Sequence, residues 1–173
     1  MQAEIQRMRI ADSILMEMDQ EAETTKRLFN VIPEDKLSWR PHPKAMSLGE
    51  LALHIATIPG SIAELGKNDS HEANQIPSPV EATSVEQIQT AFAESLDRGK
   101  AIVGATSDDE AMAQWSLTKD GNTLMAMPRM AFWRAILLNH NYHHRGQLST
   151  YLRELDIPLP SIYGPSADVN PFA

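Results

Sequence analysis

Prolines cut this sequence into pieces whose apolar residues recur at three- and four-residue steps, and that pattern restricts the chain to packed helices. The piece from Pro128 to about Leu155 is the clearest. Pro128 suits a first helical turn, Pro158 stops it, and about 1.5 Å per residue makes it roughly 40 Å long. A comparable helix is expected from about Ala3 to Val31, ended by Pro33. Met8, Ala11, Leu15, Met18, Ala22, Leu28 and Phe29 form its apolar stripe.

Two further helices start on capping signals. Ser47 with Glu50 fits a capping box in front of Leu48, Leu51, Ile55 and Ile58, and His54 falls on that same inward stripe. Pro59 and Gly60 predict a kink there, with SIAELG continuing beyond it. Ser84 with Gln87 opens a third helix running to about Val103, with Val85, Ile88, Phe92 and Leu96 inward. Ser107 with Glu110 precedes a short helix, DDEAMAQ. Between helices two and three, residues 67–83 are polar and hold Pro77 and Pro79, a long crossover compatible with parallel neighbours. The stretch EDKLSWRPHPKA reads as a loop anchored by Trp39, and residues 114–127 as a loop or small hairpin around Asp120-Gly121. No repeat and no long strand is visible. The expected fold is all-α: a four-helix bundle, one domain over residues 1–173, with a tail of residues 157–173 packed on it.

Composition narrows the chemistry. There is no cysteine, so a metal site must use nitrogen and oxygen ligands. Formal charge is −8 with scattered lysines and arginines, which argues against nucleic acid as a partner. No apolar run reaches the roughly 18–20 residues that span a bilayer, and the N-terminus does not resemble a signal peptide. A cytoplasmic protein is expected, with no membrane partner.

The polar feature that stands out is LNHNYHHRGQLSTYL, residues 138–152. His140 and His144, four apart, share a helix face that continues as Ile136 and Leu137 upstream and Leu148, Tyr151 and Leu155 downstream. His54 makes a third inward imidazole. Three such ligands suit Zn²⁺, Ni²⁺ or Fe²⁺ and leave a position open for water or substrate. The alternative is that these rings hydrogen-bond buried carbonyls and carboxylates. His143 lies about 100° off the stripe, and His42 and His71 read as solvent-exposed. Gln147 returns to the histidine side, where it can hydrogen-bond a ligand ring or a backbone group. Arg145 can hold a carboxylate, clamp the tail or sit at the surface. Tyr151 is the better placed of two candidate proton donors, Tyr142 the other. A general-base carboxylate of the HExxH type is missing, as are the glutamates of di-iron bundles.

The run NHNYHHRGQL, the histidine inside LALHI, and the ending LRELDIPLPSIYGPSAD together resemble the DinB-like (damage-inducible) family, also described as DinB/YfiT-like, over essentially the whole chain. The resemblance implies a four-helix bundle with a long crossover between helices two and three, and a divalent ion held by three histidines, which fall here on His54, His140 and His144. It also implies a homodimer. Relatives include transferases and isomerases that use a low-molecular-weight thiol, where the metal activates that thiol; this makes Arg145 a candidate cofactor-binding residue and Gln147 and Tyr151 candidate catalytic ones. The substrate would be a small electrophile. A metal-dependent hydrolase, and a non-catalytic metal- or ligand-binding stress protein, are the competing expectations. The family name carries no implication of DNA binding.

Overall fold

Four long helical segments dominate the computed structural model, which describes residues 7–173. Helix α1 spans Ile10–Phe29, α2 Leu48–Leu65 and α3 Val85–Ala105. The fourth is continuous but composite: α5 (Arg129–Phe132), a π-helical stretch (Trp133–Asn139) and α6 (His140–Glu154). A short helix α4 (Asp108–Met112) follows α3. Contacts set the directions. Gly49 lies against Ala82, and Pro59 against Gly99, so α2 and α3 run parallel, which the long crossover between them permits. Arg9 reaches the Gly104 carbonyl and Gln89 bonds Asn30, so α1 opposes α3. This is an α-helical bundle with a long crossover between α2 and α3.

The expected helix starts are present for good local reasons. Ser47 Oγ accepts from the Glu50 amide at 3.1 Å, and the Glu50 carboxylate accepts from the Ser47 amide at 2.6 Å. Ser107 and Glu110 repeat this box, and Ser84 Oγ accepts from the Gln87 amide. Helix α1 begins later than expected. The Asp12 carboxylate takes the Arg9 amide at 2.9 Å and the Asp108 carboxylate takes the Ile10 amide at 2.8 Å, which ends the helix there. The expected start near Ala3 lies outside the described residues, and Met8, placed on the stripe by spacing, is 63% exposed.

A small sheet adds to the helices. Strands β2 (Gln114–Lys119) and β3 (Asn122–Pro128) form a hairpin, and β1 (Ser70–Glu72), inside the crossover, pairs parallel to β2. The turn uses Asp120 and Gly121 at φ 50° and 78°, two left-handed positions suited to the Asp-Gly pair. The crossover is therefore not all loop. His71, expected in solvent, sits half-buried on β1 with a buried Nε2 that has no hydrogen-bond partner. In the loop before α2, Leu37 is the buried anchor, while Trp39 is half-buried and meets Tyr151 edge-on at 5.7 Å.

Two apolar clusters hold the bundle. One gathers Leu28, Phe29, Leu51, Ile55, Ile88, Leu148 and Leu152; the other gathers Ile14, Met18, Val103, Trp115, Phe132 and Leu137. Each such large side chain contributes about 1.5–3 kcal/mol by burial. Ile157, Leu159 and Ile162 of the tail pack against the first cluster. Along the last helix, Leu137 and Leu138 belong to one cluster, and Leu148 and Leu152 to the other. The interval between them holds His140, Asn141, His144 and Arg145. Among the described residues, no helix is long and apolar enough to cross a membrane.

Candidate metal centre

The site is assembled at the point where Pro59 breaks the hydrogen-bond ladder of α2. Pro59 has no amide hydrogen, so the Ile55 carbonyl one turn earlier loses its helical donor. Asn141 supplies the replacement, its Nδ2 donating to the Ile55 oxygen at 3.2 Å. From the other side Ser95 of α3 enters the same break, accepting from the Gly60 amide at 2.8 Å and donating to the Thr57 carbonyl at 2.9 Å. Gly99 lets α3 come this close, since a Cβ there would lie 2.7 Å from the Pro59 oxygen. The Asn141 bond fixes α6 against α2 at one residue pair. Its neighbours in sequence, His140 and His54, are thereby brought face to face.

His54, His140 and His144 each place a ring nitrogen within 4.8 Å of the others. Ring centroids are 4.4 Å apart for His140–His144, 4.6 Å for His54–His144 and 5.4 Å for His54–His140. The Nε2 atoms of His140 and His144 lie 2.7 Å apart, and His144 Nδ1 lies 2.7 Å from Gln147 Oε1. An amide oxygen can only accept, so Nδ1 of His144 carries the hydrogen and its Nε2 lone pair faces the other rings. The Nδ1 of His140 is buried without a partner. All three imidazoles are held below their usual pKa. Burial pushes His54 down to about 4, and the His144 and His140 rings add to the shift. Burial lowers His140 and His144 too, with Gln147 partly opposing it at His144. At neutral pH this is a cluster of neutral nitrogen donors, and no carboxylate belongs to it among the described residues. Such a set is compatible with a divalent metal ion.

The other sequence candidates divide. Gln147 is at the site, on His144. His143 is exposed, with its ring 5.1 Å from that of His144. Tyr142 turns toward α1, where its hydroxyl donates to Glu17 at 2.7 Å. Tyr151 packs on Trp39, and burial raises its pKa. Arg145 is 1% exposed, and its contacts are to α1 and the tail. It pairs with Glu21, donates to Thr25 Oγ1 and the Glu21 carbonyl, and donates to the Tyr163 hydroxyl, which itself donates to Glu21. Its guanidinium also lies over the Tyr142 and Tyr163 rings at 5.0 and 5.1 Å. Asn141 had no role in the sequence reading. The signal was a proline inside a helix, which orphans a carbonyl and calls for a donor elsewhere.

The π-helical stretch also escaped the spacing argument. A π turn holds more residues than an α turn, so the face shared by His140 and His144 does not continue upstream at α-helical phase. Leu137 and Leu138 are buried there, while Ile136 is only half-buried.

Comparison with known proteins agrees with this architecture. The model of the DinB family matches residues 2–169. An uncharacterized protein of Bacillus subtilis, YrdA, is 25% identical over 162 residues, covering 91% of this chain and 90% of its own. The crystal structure of a DinB-like protein from Bacillus cereus superposes with a TM-score of 0.65 at 23% identity, covering 88% of this chain and 97% of that one. That of the DinB-like protein YjoA from Bacillus subtilis gives 0.65 at 20% identity, over 87% and 96%.

Proposed function

This chain belongs to the DinB family, and we propose that it binds one divalent transition-metal ion (Zn²⁺, Ni²⁺ or Fe²⁺) through His54, His140 and His144 and uses it on a small organic molecule. The observation that carries this reading is the His140–His144 pair. Two neutral imidazoles face each other through Nε2 at 2.7 Å, His54 stands alongside, and no carboxylate joins them among the described residues. When bound, such an ion lowers the pKa of a coordinated thiol or water and so makes a nucleophile at neutral pH. The chain's own part is positional: Gln147 holds the tautomer of His144, and Asn141 keeps α6 in register with α2.

The lack of a carboxylate in the cluster bears on the reaction. Hydrolysis through water is served by a positioned general base, whereas a thiol needs little more than coordination to ionise. We therefore favour transfer of a low-molecular-weight thiol to a small electrophile over metal-dependent hydrolysis. The same observation suits a protein that only binds its metal and ligand: among the described residues the neighbours of the three rings are the neutral Gln147 amide and the exposed His143 ring. A homodimer in the cytoplasm completes the reading, on the family resemblance and the composition.

Elemental analysis of protein purified without an affinity tag tests the premise. About one transition-metal ion per chain is expected, and it should be lost in His54→Ala and His144→Ala. Equal trace metal in wild type and both variants would end the metal reading. Given metal, consumption of an electrophile only in the presence of thiol supports transfer; consumption without thiol supports hydrolysis; no turnover with bound metal supports the binding role.

A further inference from the structure

Beside the histidines, α2 and the crossover enclose a cleft of ≈ 370 Å³, within the size range of pockets that hold small organic molecules. His54 stands in its lining, and the same side of α2 continues through Thr57 and Ser61 to Leu65. At about 1.5 Å per residue that side extends roughly 16 Å from His54. The facing wall is the crossover at residues 76–80, where Pro77 and Pro79 restrict the backbone and remove amide donors. Ile76 and Val80 on that wall are 53% and 68% exposed, large apolar side chains left in water beside the cleft.

The lining defines what fits. Its polar side chains besides His54 are the hydroxyls of Thr57, Ser61 and Ser78, and among the described residues no charged side chain lines it, in a chain of net charge −8. The Thr57 hydroxyl is already committed to the Leu53 and His54 carbonyls at 3.0 and 3.1 Å. An anion would find no cation there and a cation no carboxylate, while an uncharged apolar body would displace water from aliphatic carbon on both walls. Because His54 belongs to the cleft and to the histidine cluster alike, a molecule lying in the cleft has one end beside His54.

We propose that this cleft binds the apolar body of an uncharged organic molecule whose polar end lies at His54. The polar end rests on the metal reading above; the apolar body rests on the cleft alone.

Two measurements separate these parts. Metal-free protein titrated with the uncharged fluorophore phenylnaphthylamine should bind it saturably, about one per chain. Ser61→Trp, which fills the cleft from an exposed position of α2, should weaken binding at least about tenfold. Thr90→Trp, on the exposed side of α3, should leave it within about twofold. No saturable uptake, uptake untouched by Ser61→Trp, or equal loss in Thr90→Trp would overturn the proposal. So would uptake that falls as protein concentration rises while sedimentation shows dimer, because a second copy would then cover the cleft. For zinc-loaded protein, alkyl hydroxamates should tighten by up to about fourfold per added methylene, and Ser61→Trp should abolish that gain. A zinc-dependent affinity indifferent to chain length would overturn the cleft and keep the metal site. Hydroxamates that gain nothing from zinc while the fluorophore still binds would do the reverse.

Discussion

His144 and Arg145 are consecutive residues of α6, both buried, and they belong to two polar sets with opposite balances. Arg145 is closed within the chain: Glu21 supplies the counter-charge, Thr25 and a carbonyl take further hydrogens, and Tyr163 links the pair to the tail. The histidine set is left open: His144 Nε2 has only the neutral His140 ring as its partner, and the Nδ1 of His140 has no partner. A buried polar group that satisfies itself contributes to the fold, and one that does not is where an outside ligand has something to supply. The contrast separates a self-satisfied structural set from the candidate metal site along one turn of one helix.

The largest effect should come from breaking the closed set. Arg145→Ala leaves the Glu21 carboxylate buried without its partner, and should destabilise by about 3–5 kcal/mol. Chemical denaturation measures this. The metal content of the protein that remains folded should be unchanged, and parallel loss of metal at mild temperature would show that the two sets are not separate. A second test acts on the open set alone. Gln147→Ala removes the acceptor that holds the His144 tautomer, and should weaken zinc affinity about 10- to 100-fold, as loss of such supporting partners does elsewhere. Competition with a chromophoric chelator reads it directly. A denaturation midpoint that moved as far as the affinity would make Gln147 a structural residue instead.

Asn141 ties the two regions to the helix break. Asn141→Leu removes the donor to the Ile55 carbonyl orphaned by Pro59, and an unsatisfied buried carbonyl costs about 1–3 kcal/mol. If that bond also sets the register of His140 against His54, the variant should lose metal affinity as well, and restoring the backbone ladder with Pro59→Ala in the same chain should recover stability more than affinity. Recovery of both together would reduce Asn141 to a hydrogen-bond repair.

Much of this arrangement was legible because it follows from local rules. Three Ser-led caps place helix starts, and helical phase alone separates His143 from His140 and His144. The polar crossover is long enough to make α2 and α3 parallel. What was hidden depends on residues far apart. The use of Asn141 is set by a proline on another helix, because the carbonyl that this proline orphans, Ile55, lies 86 residues away in sequence. The pairing of β1 with β2 joins a three-residue strand to a hairpin more than forty residues on, too short a segment for alternation to show. For Arg145 the sequence offered a carboxylate, the tail or the surface; it takes the first two, and what stayed hidden was the carboxylate's identity, Glu21 on α1, 124 residues away. The π-helical stretch ahead of His140 is invisible to templates that assume 3.6 residues per turn.

Acid should distinguish the open set by a gradual effect. The folded His54 has its pKa depressed from the ordinary 6.5 to about 4, mainly by burial. Between those values the unfolded chain binds more protons at this residue than the folded one, so stability rises with pH there. The contribution is fully present above about 6.5 and is lost as pH falls toward 4. His140 and His144 are shifted in the same direction and steepen the loss. Thermal denaturation of metal-free protein from pH 7.5 to 4.5 should therefore show a falling Tm, and His54→Ala should flatten the slope because one proton-excluding ring is gone and its two neighbours are less crowded. Bound zinc should raise the curve most at neutral pH and least at acid pH, since protons compete for the same nitrogens. If wild type and His54→Ala gave parallel slopes, the imidazoles would not be desolvated as their packing implies, and the open set would be wetter than the closed one in more than its chemistry.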